Sequence, residues 1–242
     1  MVIVSLAMGF ISGIELTRFQ ARERVERLQE SLPAFKRPDK PVVFDSLTQK
    51  KLVALTFDDG PDPRFTPKIL RILKNAHVKA TFFVVGISAK DHPNLIKQAA
   101  RAGNLIENHT WDHPEFELLG SLRMAAELEK TSKLIARLTG ARPKYFRPPH
   151  GILTRKIYLV AAHEGYRLIM WSNALQERRF SHPKSDAAFI AARIEPGAII
   201  LAHDGRLDHS RGVAALPTLI KTLKARGYRF VTLDQLPLPS FK

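Results

Sequence analysis

Four short stretches carry residue types that do chemistry. Asp58 and Asp59 stand side by side after the apolar run Leu52–Phe57 and before Gly60-Pro61. Adjacent carboxylates are costly to hold together unless a cation or a proton comes between them, although Asp-Gly-Pro is equally good chemistry for a solvated turn. His109 and His113 follow Asn-Leu-Ile-Glu-Asn. Their four-residue spacing brings both imidazoles to one side of a helical turn, within reach of one metal, and Pro114 restricts that turn to a first turn or a loop. Two surface histidines are the plainer alternative. Two imidazoles and an upstream carboxylate leave an open position for water, the arrangement of catalytic rather than structural metal sites. Arg147 opens Arg-Pro-Pro-His-Gly, a rigid loop with a permanent cation able to grip a carboxylate bidentately. His203 lies in Leu-Ala-His-Asp-Gly, as a general acid or as a hydrogen-bonded core histidine.

Each stretch follows a run of strand formers. Strands are expected at Leu52–Phe57, Lys79–Val85, Asn104–Glu107, Tyr145–Arg147, Arg167–Trp171, Ala198–Ala202 and Arg229–Leu233. Helical spacing fills the intervals at Pro67–Ala76, Asn94–Ala102, Ser121–Leu138, Ser185–Ile194 and Val213–Arg226, with Ser121 as N-cap and Gly140 as C-terminal stop of the longest. Repeated strand–helix units argue for an α/β fold with a parallel sheet, either doubly wound or closed as a barrel. In a barrel the chemistry collects on loops at the C-terminal ends of the strands, where the four stretches lie.

Composition narrows the setting. The 242 residues are 45% hydrophobic and 25% charged, which is ordinary for a globular chain. There is no cysteine, so disulfides, thiolate zinc sites and cysteine nucleophiles are excluded. The formal net charge of +15 favours an anionic partner, and an anionic envelope surface suits it. The basic residues are scattered and no nucleic-acid-binding motif accompanies them, so no specific nucleic-acid partner is expected. Met1–Ile14 is uncharged and apolar but shorter than the roughly 20 residues that span a bilayer. It reads as a signal or anchor segment or as a buried N-terminal element. Residues 15–49 read as a charged helix and a proline-containing linker, with the boundary near residue 50 and the main domain over 50–238. An extracytoplasmic protein, membrane-anchored or secreted, is expected, and nothing points beyond a monomer.

Thr-Phe-Asp-Asp-Gly-Pro (56–61), Asn-His-Thr-Trp-Asp-His-Pro (108–114), Phe-Arg-Pro-Pro-His-Gly (146–151) and Leu-Ala-His (201–203) occur in that order. The set resembles the polysaccharide deacetylases of carbohydrate esterase family 4, the NodB homology domain, over residues 50–236. The resemblance implies a distorted (β/α)7–8 barrel and metal-dependent hydrolysis of an acetyl group on a sugar polymer. It implies that Asp59, His109 and His113 hold a divalent metal, zinc before cobalt, nickel or manganese. It implies that Asp58 is the base that takes a proton from the attacking water, that Arg147 holds Asp58, and that His203 is the acid that protonates the leaving amine. The backbone N–H of His150 is implied in oxyanion stabilisation, and Trp171 and Leu201 in a pocket for the acetyl methyl.

One motif departs from that pattern. The segment Trp171–Arg178 has Ala174 where the resemblance leads one to expect the aspartate that polarises the acid histidine, and Arg178 in place of a second tryptophan. Asn173 and Glu177 are the candidates to replace that aspartate. His150 stands where the family often has an aromatic residue. The leading expectation is a de-N-acetylase acting on an amino-sugar polymer such as peptidoglycan or a chitin-like envelope glycan. An O-acetyl polysaccharide esterase and a non-catalytic glycan-binding member of the same fold are the alternatives.

Overall fold

The computed structural model describes residues 42–175 and 182–239. The expectations for Met1–Ile14, for the charged helix after it, and for Glu177 and Arg178 lie outside the described residues. Among the described residues the strands are β1 (Leu52–Asp58), β2 (Thr81–Val84), β3 (Leu105–Asn108), β4 (Tyr145–Phe146), β5 (Arg167–Leu168), β6 (Asn173–Ala174), β7 (Ala198–His203) and β8 (Arg229–Val231). They form one curled parallel sheet in the order β5-β4-β3-β2-β1-β7-β6. The central strand β1 pairs with β7 along its length, from Val53↔Ala198 to Asp58↔His203. Its other edge is shared: β8 takes Leu52–Ala54 and β2 takes Thr56–Asp58. This is a half-barrel of the expected NodB type, covered by helices.

The helices are α1 (Thr66–Asn75), α2 (Gly86–Asp91), α3 (Pro93–Arg101), α4 (Ser121–Thr139), α5 (Arg155–His163), α6 (Pro183–Arg193) and α7 (Ser210–Ala225). The longest, α4, stops as expected at Gly140, whose φ of 82° is one that glycine adopts without cost. Ser121 is not its cap. The chain turns into the helix one residue earlier, at Gly120 with extended φ −71° and ψ 154°, so Ser121 is already helical. The strands at Lys79, Tyr145, Arg167 and Arg229 are shorter than the apolar runs that predicted them. The runs continue as loop, and Ile169 meets Val43 in an isolated parallel bridge. Val43 is buried and Ser46 N–H donates to Gly197 at 2.9 Å, so sheet contacts begin before the boundary read near residue 50.

Strand alternation explains why a polar site sits on an apolar sheet. Val53, Leu55 and Phe57 of β1 join Ala198, Ile200 and Ala202 of β7 in the core beneath the helices. The other face carries Leu52, Ala54, Ile199 and Phe83 in a second cluster inside the curl. Side chains two residues apart share a face, so Thr56, Asp58, Leu201 and His203 continue that inner face upward. The curl is therefore apolar at the strand starts and polar at the strand ends.

Candidate active site

Three of the residues singled out in the sequence converge on one point. Asp59 Oδ1 lies 3.4 Å from His109 Nε2 and 3.2 Å from His113 Nε2. The three ligand atoms lie within 4.8 Å of one another. His109 Nδ1 is 2.7 Å from the Arg147 carbonyl. That contact makes Nδ1 the donor and turns the Nε2 lone pair of the neutral ring toward Asp59. Two lone pairs facing at 3.4 Å repel unless a cation or a proton intervenes, and Asp59 Oδ1 has no hydrogen-bond partner. This donor set fits a divalent metal. Burial pushes the Asp59 carboxyl up, but the closeness of His109 and His113 outweighs it and holds it well below the usual carboxylate range.

His109 and His113 do not sit on a helical turn. His109 directly follows β3, and His113 follows a loop in which Thr110 and His113 have φ of 70° and 56°. A helix is not needed because every N–H of this loop finds a partner elsewhere. His109 donates to Val84 O at 3.0 Å, Thr110 to Asn108 Oδ1 at 2.8 Å, and His113 to Thr110 Oγ1 at 3.2 Å. Trp111 and Asp112 donate to Glu127 Oε2 of α4 at 2.9 and 3.3 Å. Asp59 and His150 also have positive φ, 75° and 58°. Non-glycine residues are strained there, so four of the six in the described residues stand around the metal-ligand set.

Asp58 lies beside the set, its Oδ2 3.9 Å from His109 Nε2. Arg147 is fully buried and its Nη1 meets Asp58 Oδ1 at 2.7 Å. The grip is not bidentate. The same nitrogen also donates to Thr56 Oγ1 at 2.9 Å, while Nε and Nη2 donate to the carbonyls of Ile169 and Met170 at 3.1 and 2.8 Å. A buried guanidinium satisfied on all sides is a fixed charge rather than a mobile one. Its face covers the Phe83 ring at 4.2 Å.

His203 enters from β7 opposite Asp58 and is partly exposed. Its ring stacks on His209, centroids 5.2 Å apart, and His209 Nε2 is 2.8 Å from the Gly205 carbonyl. Leu201 is buried in register with Thr56 and Ala174. Asn173 Oδ1 accepts from Ser172 Oγ at 3.1 Å. Trp171 closes over Gly151, where a Cβ would meet its ring at 2.4 Å. The His150 side chain packs edge-on against His113 at 4.7 Å, with Nε2 3.5 Å from Glu115 Oε1.

Two residues at the site were not foreseen. Glu127 has a weak signal, an acid on the otherwise buried stripe of Met124, Leu128 and Ile135. Asp204 lies wholly buried under the Asp59–Gly60 turn, hydrogen-bonded to Thr66 Oγ1 at 2.5 Å, and burial pushes its carboxyl up to about 7.

Residues 45–169 match the polysaccharide deacetylase family. A peptidoglycan-N-acetylglucosamine deacetylase of Bacillus cereus is 37% identical over 194 residues, covering 80% of this chain and 70% of the relative. The solved Bc1960 peptidoglycan N-acetylglucosamine deacetylase superposes with a TM-score of 0.76 at 35% identity, covering 83% of this chain and 95% of that one. BA3943, a carbohydrate esterase family 4 pseudoenzyme from Bacillus anthracis, superposes with a TM-score of 0.75 at 29% identity, covering 86% and 70%. With this likeness along most of its length, the chain belongs to the polysaccharide deacetylase family of carbohydrate esterase family 4.

Proposed function

We propose that the chain hydrolyses the N-acetyl group of amino sugars in a peptidoglycan-type polymer, outside the cytoplasm. The observation that carries the reading is the Asp59–His109–His113 set with the Arg147-bound Asp58 beside it. Those three residues would hold a divalent metal, zinc being the best match to one carboxylate and two imidazoles, and when bound it would supply a Lewis acid for the amide carbonyl and the attacking water. The rest is the work of the chain. Asp58 accepts the proton of the attacking water, and Arg147, 2.7 Å from its Oδ1, holds the carboxylate in place for that purpose. His203, across the strand pair, donates the proton that the departing amine needs. The His150 N–H would donate to the developing oxyanion, a contact whose loss typically costs about 3–4 kcal/mol of barrier. Trp171 and Leu201 exclude water around the acetyl methyl. The peptidoglycan reading draws on the B. cereus relative, which is named for that substrate.

A second reading has its own support. Ala174 removes the expected aspartate, and a pseudoenzyme is among the similar structures. A glycan-binding role without turnover is therefore the rival. Acetate release by the full chain from peptidoglycan, N-acetylglucosamine oligomers and acetylated xylan, with zinc and with chelator, separates the readings. Chelator-sensitive release from the amino sugars is expected. Metal binding and polymer binding without acetate release would favour the rival, and release from xylan alone would make the chain an O-acetyl esterase.

A further inference from the structure

The parallel sheet gives the molecule two chemically different ends. The strand C-terminal ends carry the site and its acids, among them Asp58, Asp59, Asp62, Asp112, Asp204 and Asp208. The turns that enter the strands are the reverse. Residues 48–52 before and into β1, 74–80 between α1 and β2, 101–104 between α3 and β3, and 221–230 from α7 into β8 contain no Asp or Glu. They do contain Lys51, Lys74, Lys79, Arg101, Lys224 and Arg226, all exposed.

Contacts join these turns into one arc. Lys51 Nζ donates to the Arg226 carbonyl at 2.9 Å. Lys224 Nζ donates to Ala76 O at 2.8 Å, and Lys79 to Ala102 O. Each of these carbonyls ends a helix, so part of the arc complements helix dipoles. Capping a carbonyl does not neutralise an ammonium, however, and the cations along the arc have no carboxylate within these turns. Two acids border the arc, Glu195 beside Ile194, whose carbonyl Arg226 Nη2 reaches at 3.4 Å, and Asp45 two residues before Leu47, and the six cations outnumber them.

One apolar residue breaks the pattern at this end. Leu47 is 68% exposed. It follows Ser46, which bonds Gly197, whose own N–H donates to Leu52 O at 2.8 Å. These bonds fix Leu47 at the entrance to β1 and β7, next to Lys50 and Lys51. A bare leucine beside an excess of cations is the combination that enters a head-group layer: charge draws the face to an anionic leaflet and the apolar side chain goes below it. A soluble polyanion would use the charge and leave the leucine in water.

We propose that this end of the half-barrel docks on an anionic lipid surface through Leu47 and the arc of cations that runs from Lys50 and Lys51 past Arg226 and Lys224 to Lys74, Lys79 and Arg101. The catalytic mouth then faces away from the lipid, toward polymer. The inference does not depend on the deacetylase reading, since it concerns the opposite end of the fold.

The chain has no cysteine, so a single introduced one carries a unique label. L47C and R206C, the latter in the exposed loop after β7, would each be labelled in the full chain with an environment-sensitive fluorophore. They would be mixed with vesicles of phosphatidylcholine alone or with one-third phosphatidylglycerol. The label at 47 is expected to shift to the blue and to be quenched by lipid-borne quenchers only on the anionic vesicles, and to recover in high salt. The label at 206 should respond to neither. The variant K50E/K74E/R101E should lose about a hundredfold in anionic-vesicle affinity, because each of the three cations near a charged leaflet is worth about fivefold. It should keep its melting temperature and its acetate release from soluble oligomers. Entry of the 206 label, or equal response of the 47 label on both vesicles, would overturn the proposal. So would a variant that loses affinity for soluble polyphosphate but not for vesicles, which would assign the arc to a polymer instead.

Discussion

Glu127 reaches from α4 to hold two backbone N–H groups of the 109–113 loop in the conformation that points both histidines at Asp59. Glu127→Ala removes the acceptor of Trp111 N–H at 2.9 Å and of Asp112 N–H at 3.3 Å. The first is a full hydrogen bond and the second is near the limit of one. Leaving a buried donor without a partner costs about 1–3 kcal/mol, so the pair together is worth about 2 kcal/mol. Half-buried Trp111 recovers part of that from water in a relaxed loop, but a relaxed loop no longer presents His113. The expected result is a loss of about thirtyfold in metal affinity, within the range that outer-shell changes produce at metal sites. Glu127→Gln keeps an acceptor oxygen, and burial already pushes the Glu127 carboxyl up toward its neutral form, so it should lose less than fivefold. Competition titration against a chelating dye measures this, with thermal unfolding of the metal-free proteins to account for global stability. If Glu127→Ala binds metal as tightly as the parent chain, the loop positions its histidines without help and the reasoning fails.

Three other changes are expected to read out separately. Asp58→Asn should lower kcat by about 10²–10⁴ while metal content, measured by elemental analysis, stays that of the parent. Gly205→Ala builds a Cβ 2.1 Å from the Asp59 carbonyl oxygen. Backbone must move, so metal affinity and activity should both fall, and a normal apparent Kd would disprove the contact. Glu107 is buried in β3 and accepts from Lys144 and Tyr145 N–H at 2.8 and 2.7 Å, yet desolvation pushes its carboxyl up to about 8. The folded state therefore binds more protons than the unfolded state between about 4.5 and about 8. Stability should be full below that window and decline as pH rises through it; Glu107→Gln should flatten the curve in urea titrations run across that range.

The sequence made β1 and β7 legible because both are long and buried on both faces, so their apolar runs are continuous. Asp58, Asp59, His109, His113, Arg147 and His203 were legible because each terminates or follows such a run. The helices α2 and α5 went unread. The first is six residues starting at Gly86, and the second, Arg155–His163, buries only Ile157 and Ala161. Neither length nor stripe rises above its surroundings. Strand β6 is two residues long and exists because Asn173 and Ala174 pair with Ile200 and Leu201, a tertiary fact with no local trace. The bond from Glu127 to Trp111 spans sixteen positions, and Asp204 is recognisable only once the Asp59–Gly60 turn lies on it. Local chemistry was readable, whereas the groups that hold it in position act across elements.

The charges of the site force a last consequence. Asp58, Asp59 and Asp204 are all buried in one corner, with Arg147 as the single buried guanidinium among the described residues. Desolvation keeps Asp204 largely neutral up to about pH 7, which leaves two carboxylates against one cation. Without metal the corner borrows a proton. Burial pulls the His109 pKa down, but Asp58 and Asp59 more than compensate, and the net direction is up. Since Nδ1 is already committed to the Arg147 carbonyl at 2.7 Å, the extra proton goes on Nε2, the same lone pair that a metal needs. Metal and proton therefore compete for one atom. Below the raised His109 value the apparent metal affinity should fall about tenfold per pH unit, and the decline should begin above the ordinary histidine range. Asp58→Asn removes one of the charges that hold the proton and should move the onset to lower pH. An apparent zinc Kd that stays flat from about pH 5 to 8 would mean that His109 Nε2 is not the ligand atom.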